Sequence, residues 1–174
     1  MTEHITLSIP KELEHPFFFS DIKKIKVEPT SLASFSLSIP FLYEAAYYSK
    51  VDALKPWESH EDYIPLLLKE WNAIKPVLED FFSRRDIKEV EKPMKFGISL
   101  LLEFVYWTNE HPVQFSQTTL IRKLKIMPVN LEERLSFILS RPTLHHSFIQ
   151  LSELMVEMEK QYVKQMALKK ASKQ

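Results

Sequence analysis

A chain of 174 residues with 45% apolar side chains is long enough for one domain with its own core. Its 23 basic side chains balance 23 acidic ones, which excludes the surface-wide basic excess of proteins built to grip nucleic acid or anionic lipid. The lack of cysteine excludes disulfides, thiolate nucleophiles and cysteine metal sites, and the single glycine, Gly97, argues against a hairpin-rich β fold.

Residues 1–39 read as an N-terminal arm. MTEHITLSIP has no basic region followed by an apolar run, so no signal peptide is expected. Pro10, Pro16 and Pro29 interrupt the arm, and FSDIKKIKVEPTSLASFS has no sustained helical period. KELEH is expected to make one helical turn. HPFFF then places Phe17, Phe18 and Phe19 in a stretch of low helical propensity. Packing these rings over the body of the domain would anchor the arm, at about 1.5–3 kcal/mol for each fully buried ring. A partner surface is their other use.

The segment 40–170 is expected to be a helical bundle, with 171–174 a frayed tail. A helix begins at PFLYEAAYYSKVDAL, where Pro40 suits a first turn. Ser59 before Asp62 has the spacing of a weak capping box. Tyr63, Leu67, Trp71, Ile74, Leu78 and Phe81 then recur every three or four residues, a helical stripe. Pro76 inside that stripe predicts a kink or break. KPMKFGISLLLEFVYWTNEH is apolar almost all round, with Ser99 and Glu103 on one narrow strip, so it belongs at the centre. Gly97 there would let a neighbouring helix approach closely. A short helix over TTLIRKL, the turn KIMPVN and a helix over LEERLSFILS follow. Asn130 is the expected N-cap, and Leu131, Leu135, Ile138 and Leu139 make the buried face. Pro142 is expected to open the last helix, whose Leu144, Phe148, Leu151, Met155, Met158 and Tyr162 form a seam of heptad spacing. The expected fold class is therefore all-α: a single-domain bundle of five to six helices with a proline-rich, aromatic arm. The longest apolar run, Phe96 to Trp107, is too short to cross a bilayer, so no membrane association is expected and the cytoplasm is the expected compartment.

With HPFFF at 15–19, IPFLYEAAYY at 39–48, Pro56-Trp57 and Trp71 in view, the chain resembles the YpoC-like family of small Bacillus-type proteins. The resemblance runs through the central helices and weakens toward the C-terminal tail. It implies a cytoplasmic protein commonly encoded beside a replication-initiation protein and endonuclease III, an association with DNA metabolism. It brings no catalytic residues with it.

Chemistry-bearing residues are sparse. Glycine-rich phosphate loops and a nucleophile elbow need glycines the chain lacks, so no nucleotide, cofactor or other small-molecule ligand is expected. His145 and His146 point about 100° apart on a helix, whereas helical metal pairs sit four residues apart, so no metal site is expected. His15, before Pro16, reads as a turn residue rather than a base. Glu103, between LLL and FVYW, would have a raised pKa if buried, as general acids do. The favoured reading turns the Ser99–Glu103–Glu110 strip toward water or a tyrosine hydroxyl. SQTTLIRKLKIMPVNLEERLSF has the outline of a helix-turn-helix, but its second helix would present Glu132 and Glu133 to phosphate.

The function expected is that of a non-enzymatic interaction or adaptor module. Its surface would be Phe17, Phe18 and Phe19, or Met155, Met158 and Met166, whose flexible thioethers suit adaptable contacts. The partner would be another protein or a second copy. The alternative is a DNA-metabolism accessory factor making weak phosphate contacts through Arg122, Lys123 and Lys125 and through Lys164, Lys169 and Lys170.

Overall fold

The computed structural model describes residues 3–117 and 119–173. Among these are eight α-helices and one two-stranded sheet. The axis of the assembly is α5 (Ile87–Thr108), in which every residue from Gly97 to Thr108 is buried. Its start is different: Lys88, Glu89, Glu91 and Lys92 face water while Val90 points inward. The helix therefore opens six residues before Pro93, on an amphipathic turn that the all-apolar pattern further on conceals.

Helix α4 (His60–Ser83) precedes α5 through a three-residue turn, so the two lie antiparallel. Pro76 does not break α4. Pro76 and Asn72, whose carbonyl loses its usual donor, are both exposed, so that carbonyl sits on the wet face of the helix. The 28-residue α8 (His145–Ser172) covers another side of α5. It opens after Leu144 rather than at Pro142, and it continues to Ser172. Its N-terminal end meets the C-terminal end of α4, where Phe82 stacks on Phe148 with centroids 5.3 Å apart. Gly97 lies where the three helices converge: a Cβ there would stand 3.1 Å from Leu151 Cδ2 on α8 and 3.1 Å from Trp71 Cζ3 on α4. Helix α7 (Leu131–Ser140) packs on α8, burying Leu131, Leu135 and Ile138.

The arm contains the sheet. β1 (Ile5–Ser8) pairs antiparallel with β2 (Lys24–Val27), with Ile5 opposite Val27 and Ser8 opposite Lys24. Leu7, Ile25 and Val27 point inward, a period of two that four-residue strands barely display. Between the strands lie a 3₁₀ turn (Lys11–Leu13) and the single-turn α1 (Pro16–Phe19); α2 (Pro29–Ala33) and α3 (Leu42–Tyr48) follow. The excess over five or six helices comes from such short pieces, α6 (Leu120–Lys123) included. The Phe cluster sits on the body of the domain. Phe18 stacks on Phe115 at 5.6 Å and meets Phe41 edge-on at 5.0 Å. The backbone follows: Phe115 N–H donates to the Glu12 carbonyl at 2.6 Å.

Scarcity of glycine shows in how helices stop. Lys50, Arg85 and Glu110 follow the ends of α3, α4 and α5 with φ of 59°, 55° and 59°. At each end two amides bond back into the last turn, as in a Schellman motif; after α4, Arg85 N–H donates to Phe82 O and Asp86 N–H to Phe81 O. Asn130 and Phe41 occupy the same left-handed region before α7 and α3, and neither caps its helix with a side chain. Nor does Ser59 before α4.

Two stability outcomes follow. Phe18→Ala is expected to cost about 3–5 kcal/mol in urea unfolding, since the ring has Phe17, Phe41 and Phe115 around it. Arg85→Gly is expected to raise stability by about 1 kcal/mol, because glycine adopts positive φ without the Cβ clash and Arg85 is exposed.

Candidate functional site

Two carboxyls lie inside the bundle. Glu44 comes from α3 and is 0% exposed; Glu103 comes from α5 and is 2% exposed. Glu44 Oε2 accepts hydrogen bonds from the Trp107 indole N–H at 2.8 Å and from the Val113 amide at 3.1 Å. One oxygen thus joins α3, α5 and the segment after α5. Oε1 of Glu44 and Oε1 of Glu103 have no partner among the described residues. Burial pushes the Glu44 carboxyl up to about 7, although both donors pull the other way. Burial, and then the charge of Glu44, hold Glu103 well above the carboxylate range.

The expectation that the Ser99–Glu103–Glu110 strip faces water or a tyrosine is corrected. Only Glu110 is exposed, because α5 is enclosed on all sides over this stretch. The Ser99 hydroxyl donates back to Phe96 O at 2.6 Å. Nearby tyrosines use their hydroxyls on backbone: Tyr43 donates to Ser34 O at 2.9 Å, Tyr48 to Val113 O at 3.1 Å and Tyr106 to Gln114 O at 3.2 Å. A protonated carboxyl is the equipment of a general acid, but a substrate must reach it. Neither glutamate lines the 510 Å³ groove between Phe115, Ile121 and Leu135 or the 320 Å³ recess beside Tyr43 and Lys55.

The two surfaces expected to meet a partner are differently placed. Phe18 is buried, with Phe17 and Phe19 half-buried, so the arm's rings are largely taken up by its own domain. Met155 and Met158 are buried in the core and are not a surface; Met166 is half-buried. Their seam faces inward: Leu151 packs at Gly97, and Tyr162 lies 5.7 Å from the Phe104 ring. Thioether flexibility carries no information about which face a helix buries.

The basic residues divide. Arg122 grips Glu132 through two bonds of 2.6 and 2.8 Å, and Lys169 lies 3.7 Å from Glu61 and 3.6 Å from Glu110. Lys123, Lys125, Lys164 and Lys170 are exposed. The helix-turn-helix outline dissolves, since its first helix, α6, has four residues. His145 and His146 splay apart, His145 against Phe82 of α4 at 5.3 Å and His146 against Phe137 of α7 at 5.5 Å. Among the described residues no group of three or more His, Asp or Glu side chains is placed to hold a metal ion.

One feature of α8 escapes the sequence reading. Ile149, Val156 and Val163 are 38%, 48% and 59% exposed and recur every seven residues. They form a second apolar line on the side away from α5. A second heptad register on the same helix was the available signal, hidden because the inner seam satisfies the search for a buried face.

A family model described as YpoC-like protein matches residues 61–170, which cover the four longest helices. A Bacillus subtilis (strain 168) protein named "Uncharacterized protein YpoC" is 38% identical over 115 residues, 65% of this chain and 70% of its own length. No solved structure matches the chain. Among the described residues, no helix is long and apolar enough to cross a membrane.

Glu44 gives stability a pH dependence of definite sign. Its folded pKa of about 7 lies above the ordinary 4.5, so folding favours the protonated form. That contribution is complete below pH 4.5 and is lost as pH rises toward 7. The Glu44 part of the unfolding free energy is expected to fall by up to about 3 kcal/mol across that window, and Glu44→Gln to remove that part when urea titrations are compared at several pH values, leaving the slope of the same sign that Glu103 contributes.

Proposed function

The chain belongs to the YpoC-like family, and we propose that it serves as a non-catalytic helical module that binds a protein through the outer face of α8. The observation that carries this reading is the line Ile149, Val156 and Val163. Single exposed apolar residues are ordinary on any protein, but these three stand on one face of one helix, about 10 Å between neighbours, with polar residues between them. The strip gives the domain's own core nothing, since α8 meets that core through Phe148, Leu151, Leu154, Met155, Met158 and Tyr162.

The alternatives have less behind them. A phosphate-contacting role draws support from the exposed Lys164 and Lys170, but two of its six expected cations, Arg122 and Lys169, are occupied by carboxylates. An enzymatic role centred on Glu103 would require a substrate to reach a side chain that is 2% exposed.

The variant carrying Val156→Glu and Val163→Glu should fold, because both side chains are about half exposed. Used as bait in a bacterial lysate with quantitative mass spectrometry, it is expected to lose proteins that the wild-type chain retains. An identical set of captured proteins, with the circular dichroism spectrum unchanged, would overturn the assignment of the binding face.

A further inference from the structure

We infer that the outer edge of β2 accepts an extended acidic segment of another protein, which joins the arm's sheet as a third strand. The edge belongs to the arm and is independent of the outer face of α8.

The register shows which main-chain groups are free. Ile9 N–H donates to Lys23 O at 3.0 Å, one step beyond Ser8 opposite Lys24. Along an antiparallel ladder, pairs that exchange hydrogen bonds alternate with pairs that do not. Leu7 with Ile25 and Ile5 with Val27 are therefore the bonded pairs, and the N–H and C=O groups of Lys24 and Lys26 point away from β1. The sheet has no strand beyond β2, and none of these groups has a backbone partner among the described residues. Thr6 and Ser8 turn theirs outward in the same way on β1, but that strand lies beside α3. An open edge hydrogen-bonds any extended chain, so side chains decide which one it takes.

Here the side chains are cationic. Lys24 and Lys26 are exposed on the outer face of the sheet, while Ile25 and Val27 are buried on the inner face. Lys23, just before the strand, is exposed as well. Asp21 and Glu28 stand at the two ends of this stretch, yet none of the three lysines has an ion pair among the described residues.

These charges rule on the occupant. Laying β2 beside β2 of a second copy, with both apolar faces inward, sets lysine beside lysine. Slipping one copy by a residue turns its Ile25 and Val27 out to water. Lysines on an edge thus bar a like strand and admit one of opposite charge. The fitting segment carries carboxylates at every second position, on the lysine side, with apolar residues between them beside Ile25 and Val27. A nucleic acid would meet the lysines and leave the main-chain groups of Lys24 and Lys26 unpaired. The open backbone therefore selects a peptide, and the lysines select an acidic one. A single added strand this short lies below the usual size of a stable interface, so the complex exchanges rapidly.

The probe is a blocked Glu-Val-Glu-Val-Glu peptide, titrated at low salt into the isotope-labelled full chain and followed by amide NMR. The Lys24 and Lys26 amide signals are expected to move downfield, and at saturation their hydrogens should exchange with solvent about tenfold more slowly. Lys24→Glu with Lys26→Glu changes two exposed residues and should leave the circular dichroism spectrum unaltered. It should weaken binding of the acidic peptide tenfold or more and bind Lys-Val-Lys-Val-Lys instead. The acidic peptide N-methylated at its three central residues keeps its charges and loses its main-chain donors, so it should not bind. An oligothymidylate of equal charge has no amide to offer and should bind at least tenfold more weakly than the peptide. Unmoved Lys24 and Lys26 amides at millimolar peptide would overturn the inference. So would equal binding of the N-methylated peptide, which would mean charge contact alone, or equal binding of the oligothymidylate, which would mean a phosphate site.

Discussion

The enclosure of α5 is the constraint from which the architecture follows. A helix apolar on all but the narrow Ser99–Glu103 strip from Ile98 to Trp107 has almost no face to present to water, so each side requires a cover. Helices α4 and α8 supply two, and they approach closely because Gly97 has no Cβ to hold Trp71 and Leu151 away. The remaining exposure is closed by α3 and by the arm: Phe41 at the start of α3 and Phe18 of the arm pack with Phe115 after the end of α5. The aromatic run near the N-terminus is thus part of the lid on a core that begins seventy residues later. Burying Phe18 and half-burying Phe17 and Phe19 also explains how an arm with so little intrinsic helicity is held: ordering its backbone costs about 1–2 kcal/mol per residue, and local propensity does not offset that.

Glu44 shows the same enclosure acting on a polar group. A carboxyl removed from water is costly, and one lone hydrogen bond would not compensate. Its Oε2 takes two buried donors, the Trp107 indole and the Val113 amide, which would otherwise be orphaned by the covers of α5. The residual penalty appears as the raised pKa rather than as a buried full charge. Glu103 has no such donors at Oε1, and burial likewise holds its carboxyl well above the carboxylate range. Perturbed carboxyls of this kind are familiar at active sites, yet here both arise from packing around a helix that tolerates no solvent.

Much of this was legible from residue periodicity. The stripe Tyr63 to Phe81, the all-apolar run around Leu100 and the seam Phe148 to Tyr162 each correspond to a long helix. What stayed hidden depended on partners distant in the chain. Ile25 and Val27 alternate with lysines, but a four-residue strand gives two cycles at most, and its mate lies across the arm. Glu44 sits in LYEAAYY, where nothing local indicates that Trp107 and Val113 will close over it. Pro76 suggested a break because local rules weigh the lost hydrogen bond and not the wet face that satisfies the carbonyl. Met155 and Met158 suggested a surface because residue type was weighed before helix face.

Helix α8 carries the last step of the argument. A sequence selected only for its fold would place polar residues opposite Leu151 and Met158, as α7 does with Glu132 and Glu133 opposite its buried leucines. Instead valine stands at 156 and 163, with exposure near one half, on a helix whose inner face is already full. Other exposed apolar residues, such as Ile22, Ile87 and Val129, lie on different elements, while Leu66 and Val77 share α4 and Leu168 falls on α8 outside the seven-residue register. Regularity separates the two groups. Random surface apolar residues cost a monomer a little solubility and have no reason to repeat every seven positions, whereas a helix that meets another helix must repeat at that interval to stay in contact. On the proposed reading, the outer line of α8 answers a constraint from outside the monomer, as the enclosure of α5 answers one from within.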